Sequence, residues 1–81
     1  GPVILADPLR RLWGLTPREA AVAQVLANGA TVAEAAAAPG MAERTFRVHL
    51  ASVFRKTDTH RQSELVRLLL AAVAGLSTER A

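Results

Sequence analysis

The sequence predicts an all-α fold, a four-helix, bundle-like domain with helices at about 17–27, 32–38, 42–56 and 61–75. Three observations carry this expectation. Phe46, Leu50, Val53 and Phe54 stand at i, i+4, i+7 and i+8, the spacing of one buried helical stripe. Two boxes, Thr16-Pro17-Arg18-Glu19 and Thr31-Val32-Ala33-Glu34, put a hydroxyl three residues before a carboxylate, so each can satisfy a backbone donor at a helix start. Asn28-Gly29 and Pro39-Gly40 then supply the matching stops.

Taken in order, Gly1-Pro2 has the form of a scar left by cleavage of an expression tag and is set aside. Val3-Ile4-Leu5 is an apolar run closed by Asp7-Pro8, too short to be an element by itself. Residues 3–13 read as the remnant of a linker or upstream domain, with an ordered tail as the alternative. Leu9, Leu12, Trp13 and Leu15 add apolar mass. The first predicted helix opens at Thr16 as N-cap, with Pro17 at the first helical position and Glu19 at the positive end of the dipole. Its inner stripe is Val22, Val25 and Leu26, with Ala21 beside them. The short second helix, opened by Thr31, stops near Ala38, because Pro39 cannot continue it and Gly40 tolerates a turn. The third runs from about Ala42 to Lys56, and Thr57 to His60 connect it to the fourth. Residues 77–81 form a tail.

The last helix is apolar on two sides. Leu65, Leu68, Leu69, Ala72 and Leu76 cluster on one face, and Val66, Leu70, Val73 and Ala74 form a second patch. Such a patch in a small domain needs a cover. The expected cover is a second copy, giving a weak homodimer. The alternative is that residues before Trp13 fold back over it.

Composition narrows the functional classes. Eighty-one residues make one domain with a thin core, since there are two Phe, one Trp and no Tyr, and much of the 51% apolar content is Ala. The absence of Cys excludes a disulfide framework and a Cys-type zinc site, and two histidines are too few for a metal cage. No cofactor and no metal are expected. Glu19, Glu34, Glu43 and Glu64 read as cap or framework acids, and neither a nucleophile–base pair nor a glycine-rich phosphate loop is visible, so an enzyme is not expected. The longest uncharged apolar run, Leu68 to Leu76, is about half a membrane span. No signal peptide is recognisable, and the expected location is cytoplasmic.

The net charge of +3 is concentrated. Residues 43–61 hold Arg44, Arg47, Arg55, Lys56 and Arg61 against Glu43 and Asp58, while the flanking segments balance to zero. This is the footprint of a polyanion partner. At 100° per residue, the face opposite the Phe46–Phe54 stripe carries Arg44, Val48, Ala51, Ser52 and Arg55, with Thr45 and Arg47 on its flanks. Long cations reach phosphates and guanine edges, and small residues permit close approach, so this face suits a DNA major groove. A solvated charged face on an ordinary core is the plainer reading.

With these pieces in order, Leu15-Thr16-Pro17-Arg18-Glu19-Ala20, Glu34-Ala35-Ala36, Glu43-Arg44-Thr45-Phe46-Arg47-Val48-His49-Leu50, Phe54-Arg55-Lys56 and Glu64-Leu65-Val66 occur together. At these spacings the chain closely resembles, over about residues 14–74, the LuxR/FixJ-type (GerE-like) DNA-binding domain of bacterial transcription regulators, which gives a domain of 14–76. Each motif is weak alone, and the set is highly specific. The resemblance implies a four-helix domain whose middle pair is a helix-turn-helix. It implies that the third helix reads the major groove of double-stranded DNA and that the fourth often forms a dimer. By position it implies base-facing roles for Arg47, Val48 and Ala51. Thr45 and Lys56 fall at backbone-contacting positions, Thr31 at a capping hydroxyl near a phosphate, Glu19 and Glu34 at framework positions, and His49 at a structural one. It further implies an N-terminal sensory domain in the full-length protein, the present chain being the C-terminal output domain.

There are departures. Pro39 stands where the family usually has a buried Leu, Met41 for Ile or Val, and Ala42 for the usual Ser N-cap of the recognition helix. Ala51 replaces what is often a long polar residue, and Asp58 the common Gly after the third helix. The alternative function is a protein-interaction or dimerisation module, a degenerate helix-turn-helix domain with little DNA binding. The sigma-factor region-4 domain is a sister reading within DNA binding.

Overall fold

In the computed structural model, residues 6–37 and 40–79 are described, and five helices lie among them: α1 (Ala6–Trp13), α2 (Pro17–Ala27), α3 (Val32–Ala37), α4 (Glu43–Thr57) and α5 (Gln62–Glu79). No strand occurs among these residues. The four expected helices are present as α2 to α5, and α1 is an addition to them. Val3-Ile4-Leu5 and the Ala38-Pro39 stop lie outside the described residues.

The sequence of α1 allows a helix for reasons that eight residues state only faintly. Asp7 sits in the first turn beside the positive dipole end, and Pro8 is tolerated there because its missing N–H has no helical acceptor anyway. Leu9, Leu12 and Trp13 share a face, and Arg10 and Arg11 occupy the last turn. A helix of this length is marginal alone. Tertiary contact holds it: Leu9 is fully buried, and α1 packs against α2 and, less extensively, α5.

Three helices end in one way. Gly14 has φ +65° while the Leu15 amide donates to the Arg10 carbonyl at 3.1 Å. After α2, Gly29 has φ +98°, and the amides of Gly29 and Ala30 donate to Leu26 and Val25 at 3.0 and 3.2 Å. After α4 the left-handed residue is Asp58 (φ 55°, ψ 45°), with the Thr59 amide donating to Phe54 at 3.0 Å. Each is a Schellman-type stop that satisfies the last carbonyls of its helix.

The core joins Leu9, Leu15, Ala20, Val22, Ala23, Leu26, Ala27, Phe46, Leu50, Val53, Leu65 and Leu69. Helix α2 is its axis, packing against all four other helices. That explains a difference from the expected single stripe: Ala20, Ala23 and Ala27 are buried with Val22 and Leu26, whereas Val25 is half-buried. A helix surrounded on several sides needs small residues for close approach rather than one apolar face. Helix α5 runs past its expected end near Gly75, because glycine in a helix costs only about 1 kcal/mol and this one is not in the left-handed region. Of the expected second patch on α5, Val66 and Val73 pack against the core, while Leu70 is 43% exposed and Ala74 is exposed. Among the described residues no helix is long and apolar enough to cross a membrane.

Candidate nucleic-acid interface

Helix α4 is fixed in rotation by its buried back. Phe46 and Val53 are fully buried and Leu50 nearly so, packed over α2 and α3, while Phe54 is half-buried. The opposite face is therefore presented outward. Arg44, Thr45, Arg47, Val48, Ala51 and Arg55 are all exposed, and Val48, an apolar β-branched residue, is 64% exposed. His49 is half-buried.

Ala42 is the N-cap of α4, extended at φ −65° and ψ 149°, and no side chain caps the helix there. The amides of the first turn consequently keep unfilled donors at this end. Thr31 forms the expected box: the Glu34 amide donates to Thr31 Oγ1 at 3.2 Å, and the Thr31 amide donates to Glu34 Oε1 at 3.0 Å. Hydrogen bonds to the Glu34 carboxylate from the Thr31 amide and hydroxyl lower its pKa. The Thr31 hydroxyl accepts from the Glu34 amide in this box, while its own proton is shared with the Glu34 carboxylate.

Arg47 rests on Glu43, one turn earlier, at 3.1 Å, with both side chains more than half exposed. An exposed i, i+4 pair of this kind is worth about 0.3–0.5 kcal/mol, so releasing Arg47 to another acceptor is easy.

The other end of α4 is more tightly organised than the sequence suggested. Glu19, in the first turn of α2, is only 6% exposed. Its Oε1 accepts from Lys56 Nζ at 2.7 Å and from the Thr16 amide at 2.9 Å, and its Oε2 accepts from the Ser52 hydroxyl. Lys56 Nζ also donates to the Gly14 carbonyl at 3.3 Å, and Arg55 Nη2 donates to Ser52 Oγ at 3.1 Å. Burial alone would raise the Glu19 pKa. The hydrogen bonds from Lys56, Ser52 and the Thr16 amide, with the Lys56 charge, outweigh it and hold the carboxyl at about 2.

Two expected contact residues are thus placed differently from the simple helical wheel. Ser52 is half-buried, with its proton committed to Glu19, so it supports Arg55 rather than standing free. Lys56 spends two of its three donors on Glu19 and Gly14, leaving one. Sequence reasoning found Glu19 as a capping acid and missed its second role, because the Lys56 partner lies 37 residues away. Thr57 and Thr59 close this corner, with Thr57 Oγ1 donating to the Val53 carbonyl at 2.8 Å and lying 2.9 Å from Thr59 Oγ1.

Compared with known families, the chain matches the model described as bacterial regulatory proteins, luxR family, over residues 14–69. Helices α2, α3 and α4 and the first part of α5 fall within the match, and α1 lies before it. No curated relative and no solved structure matches the chain significantly.

Proposed function

We propose that this chain, which belongs to the luxR family of bacterial regulatory proteins, binds double-stranded DNA sequence-specifically as the output module of a transcription regulator, with α4 in the major groove. The family is one of DNA-binding regulators and not of enzymes. The observation that carries the finer reading is the outward face of α4, where cations and small residues share a surface opposite the buried Phe46, Leu50 and Val53.

Roles follow from side-chain chemistry and position. Arg47 leaves Glu43 and places its planar fork on guanine O6 and N7. Val48 and Ala51 offer methyl contacts to thymine. Arg44 and Thr45, at the uncapped start of α4, and Thr31, just before α3, meet phosphates. Arg55, steadied by Ser52, and Lys56, steadied by Glu19, meet the backbone where α4 leaves the groove. A DNA target places the protein in the bacterial cytoplasm. A weak homodimer through α5 uses Leu70 and Ala74, with Val66 and Val73 beneath them. Two recognition helices would then read half-sites about one helical turn apart.

The test is selection of bound sequences from a randomised duplex pool, followed by titration of wild type and Arg47→Ala on a selected and a scrambled duplex. The expected loss is about 1–3 kcal/mol on the selected site and much less on the scrambled one. Equal losses on both would make Arg47 a phosphate clamp. No retarded complex with any duplex at low salt would overturn DNA binding and favour the protein-interaction reading.

A further inference from the structure

We infer that the C-terminal turn of α1 extends the DNA-contacting surface, with Arg10 and Arg11 gripping backbone phosphates beyond the point where α4 leaves the groove. This rests on the DNA-binding reading above and concerns residues that lie before the family match.

The two ends meet at Gly14-Leu15. Lys56 Nζ, at the last turn of α4, donates to the Gly14 carbonyl at 3.3 Å, and Arg10 Nε donates to the Leu15 carbonyl at 3.5 Å. The last turn of the recognition helix and the last turn of α1 are therefore tied to adjacent residues, Gly14 and Leu15. The position is rigid, because Leu9 and Leu15 are buried on the inner side and α1 packs on α2 and α5. Asp7, Arg10, Arg11, Gly14 and Leu15 line one shallow groove there, and neither arginine forms an ion pair among the described residues.

Length places this corner at the DNA backbone. Helix α4 has 15 residues and spans about 22 Å, against a major groove about 12 Å wide, so its basic last turn emerges over a phosphate strand. At that point the charge of Lys56 is largely balanced by Glu19 at 2.7 Å. Arg10 and Arg11 are exposed cations that form no ion pair with a carboxylate among the described residues. They restore to this corner the positive charge that the Glu19–Lys56 pair removes. An ordinary helix-dipole role at the end of α1 accounts for arginines in the last turn. It does not account for Arg10 being tied to the residue next to the one that holds Lys56.

The experiment measures binding to a random-sequence 30-base-pair duplex by fluorescence anisotropy between 50 and 200 mM salt. The proteins are wild type, Arg10→Gln/Arg11→Gln, and Arg67→Gln/Arg80→Gln as a control that removes equal charge from the C-terminal part of the chain, outside the basic 43–61 segment. The α1 variant should flatten the log–log salt slope by about 2, so that its affinity falls about tenfold less than wild type over this range. The control should keep the wild-type slope. Circular dichroism and a melting curve establish that both variants fold. If the α1 variant keeps the wild-type slope while wild type binds steeply, the inference is overturned and the DNA-binding reading stands. If both double variants flatten it equally, net charge rather than position is responsible, and the inference again falls. If wild type shows no salt-dependent binding, the DNA-binding reading itself fails and this inference with it.

Discussion

Replacing Glu19 with Gln tests how the α2–α4 corner is held. Gln keeps the shape and can still accept from the Thr16 amide through its carbonyl oxygen, so the capping box survives. It loses the ion pair to Lys56 and presents a donor where Ser52 now donates. The Glu19 carboxyl falls from its ordinary 4.5 to about 2 on folding, which at about 1.4 kcal/mol per pKa unit corresponds to about 3 kcal/mol. The Lys56 side chain is 31% exposed and partly screened, so the expected loss at pH 7 is about 2 kcal/mol. In a domain this small that lowers the melting temperature by about 10 °C. The sign of the pH dependence is fixed by the depressed value. Between about pH 4.5 and pH 2 the unfolded chain binds the extra proton, so the stabilisation is complete above pH 4.5 and is lost as pH falls through 2. At pH 3 roughly two fifths of it remains. Urea unfolding of both proteins at pH 7, 4.5, 3 and 2, followed by circular dichroism, measures the gap directly. A gap that is unchanged between pH 7 and pH 3, or absent at pH 7, would refute the assignment. A cycle with Lys56→Met should return a coupling of at least about 1 kcal/mol.

Other perturbations probe separate features. Ala42→Ser supplies the missing N-cap of α4 and should stabilise the domain by about 0.5–1 kcal/mol in thermal melts, and no gain would mean that the helix is capped by another group. Asp58→Gly relieves a left-handed position and should add up to about 1 kcal/mol, whereas a loss would show that the Asp58 side chain itself contributes there. Leu70→Glu should shift sedimentation toward monomer with helicity intact, and an unchanged distribution would remove α5 as the self-association surface.

The boundaries of α2 and α4 were legible because their signals are local. A capping box, a proline in the first turn and a glycine or aspartate at the stop act within five residues, and the Phe46–Val53 stripe needs only the helical period. The outward set Arg44, Thr45, Arg47, Val48, Ala51 and Arg55 followed from the same period, since a buried stripe dictates what lies opposite. Only the tertiary structure decided three further matters. Helix α1 was not legible because its propensity is marginal and Asp7-Pro8 reads equally as a stop, so the burial of Leu9 against α2 settles it. The α5 patch was divided by packing, which takes Val66 and Val73 inward and leaves Leu70 outside, a distinction that helical periodicity cannot make between adjacent apolar faces. The partners of Lys56 and Ser52 were invisible for the simplest reason. Charge and spacing fix which side chains share a face, whereas an ion pair between residues 37 positions apart exists only once packing has brought the start of α2 to the end of α4.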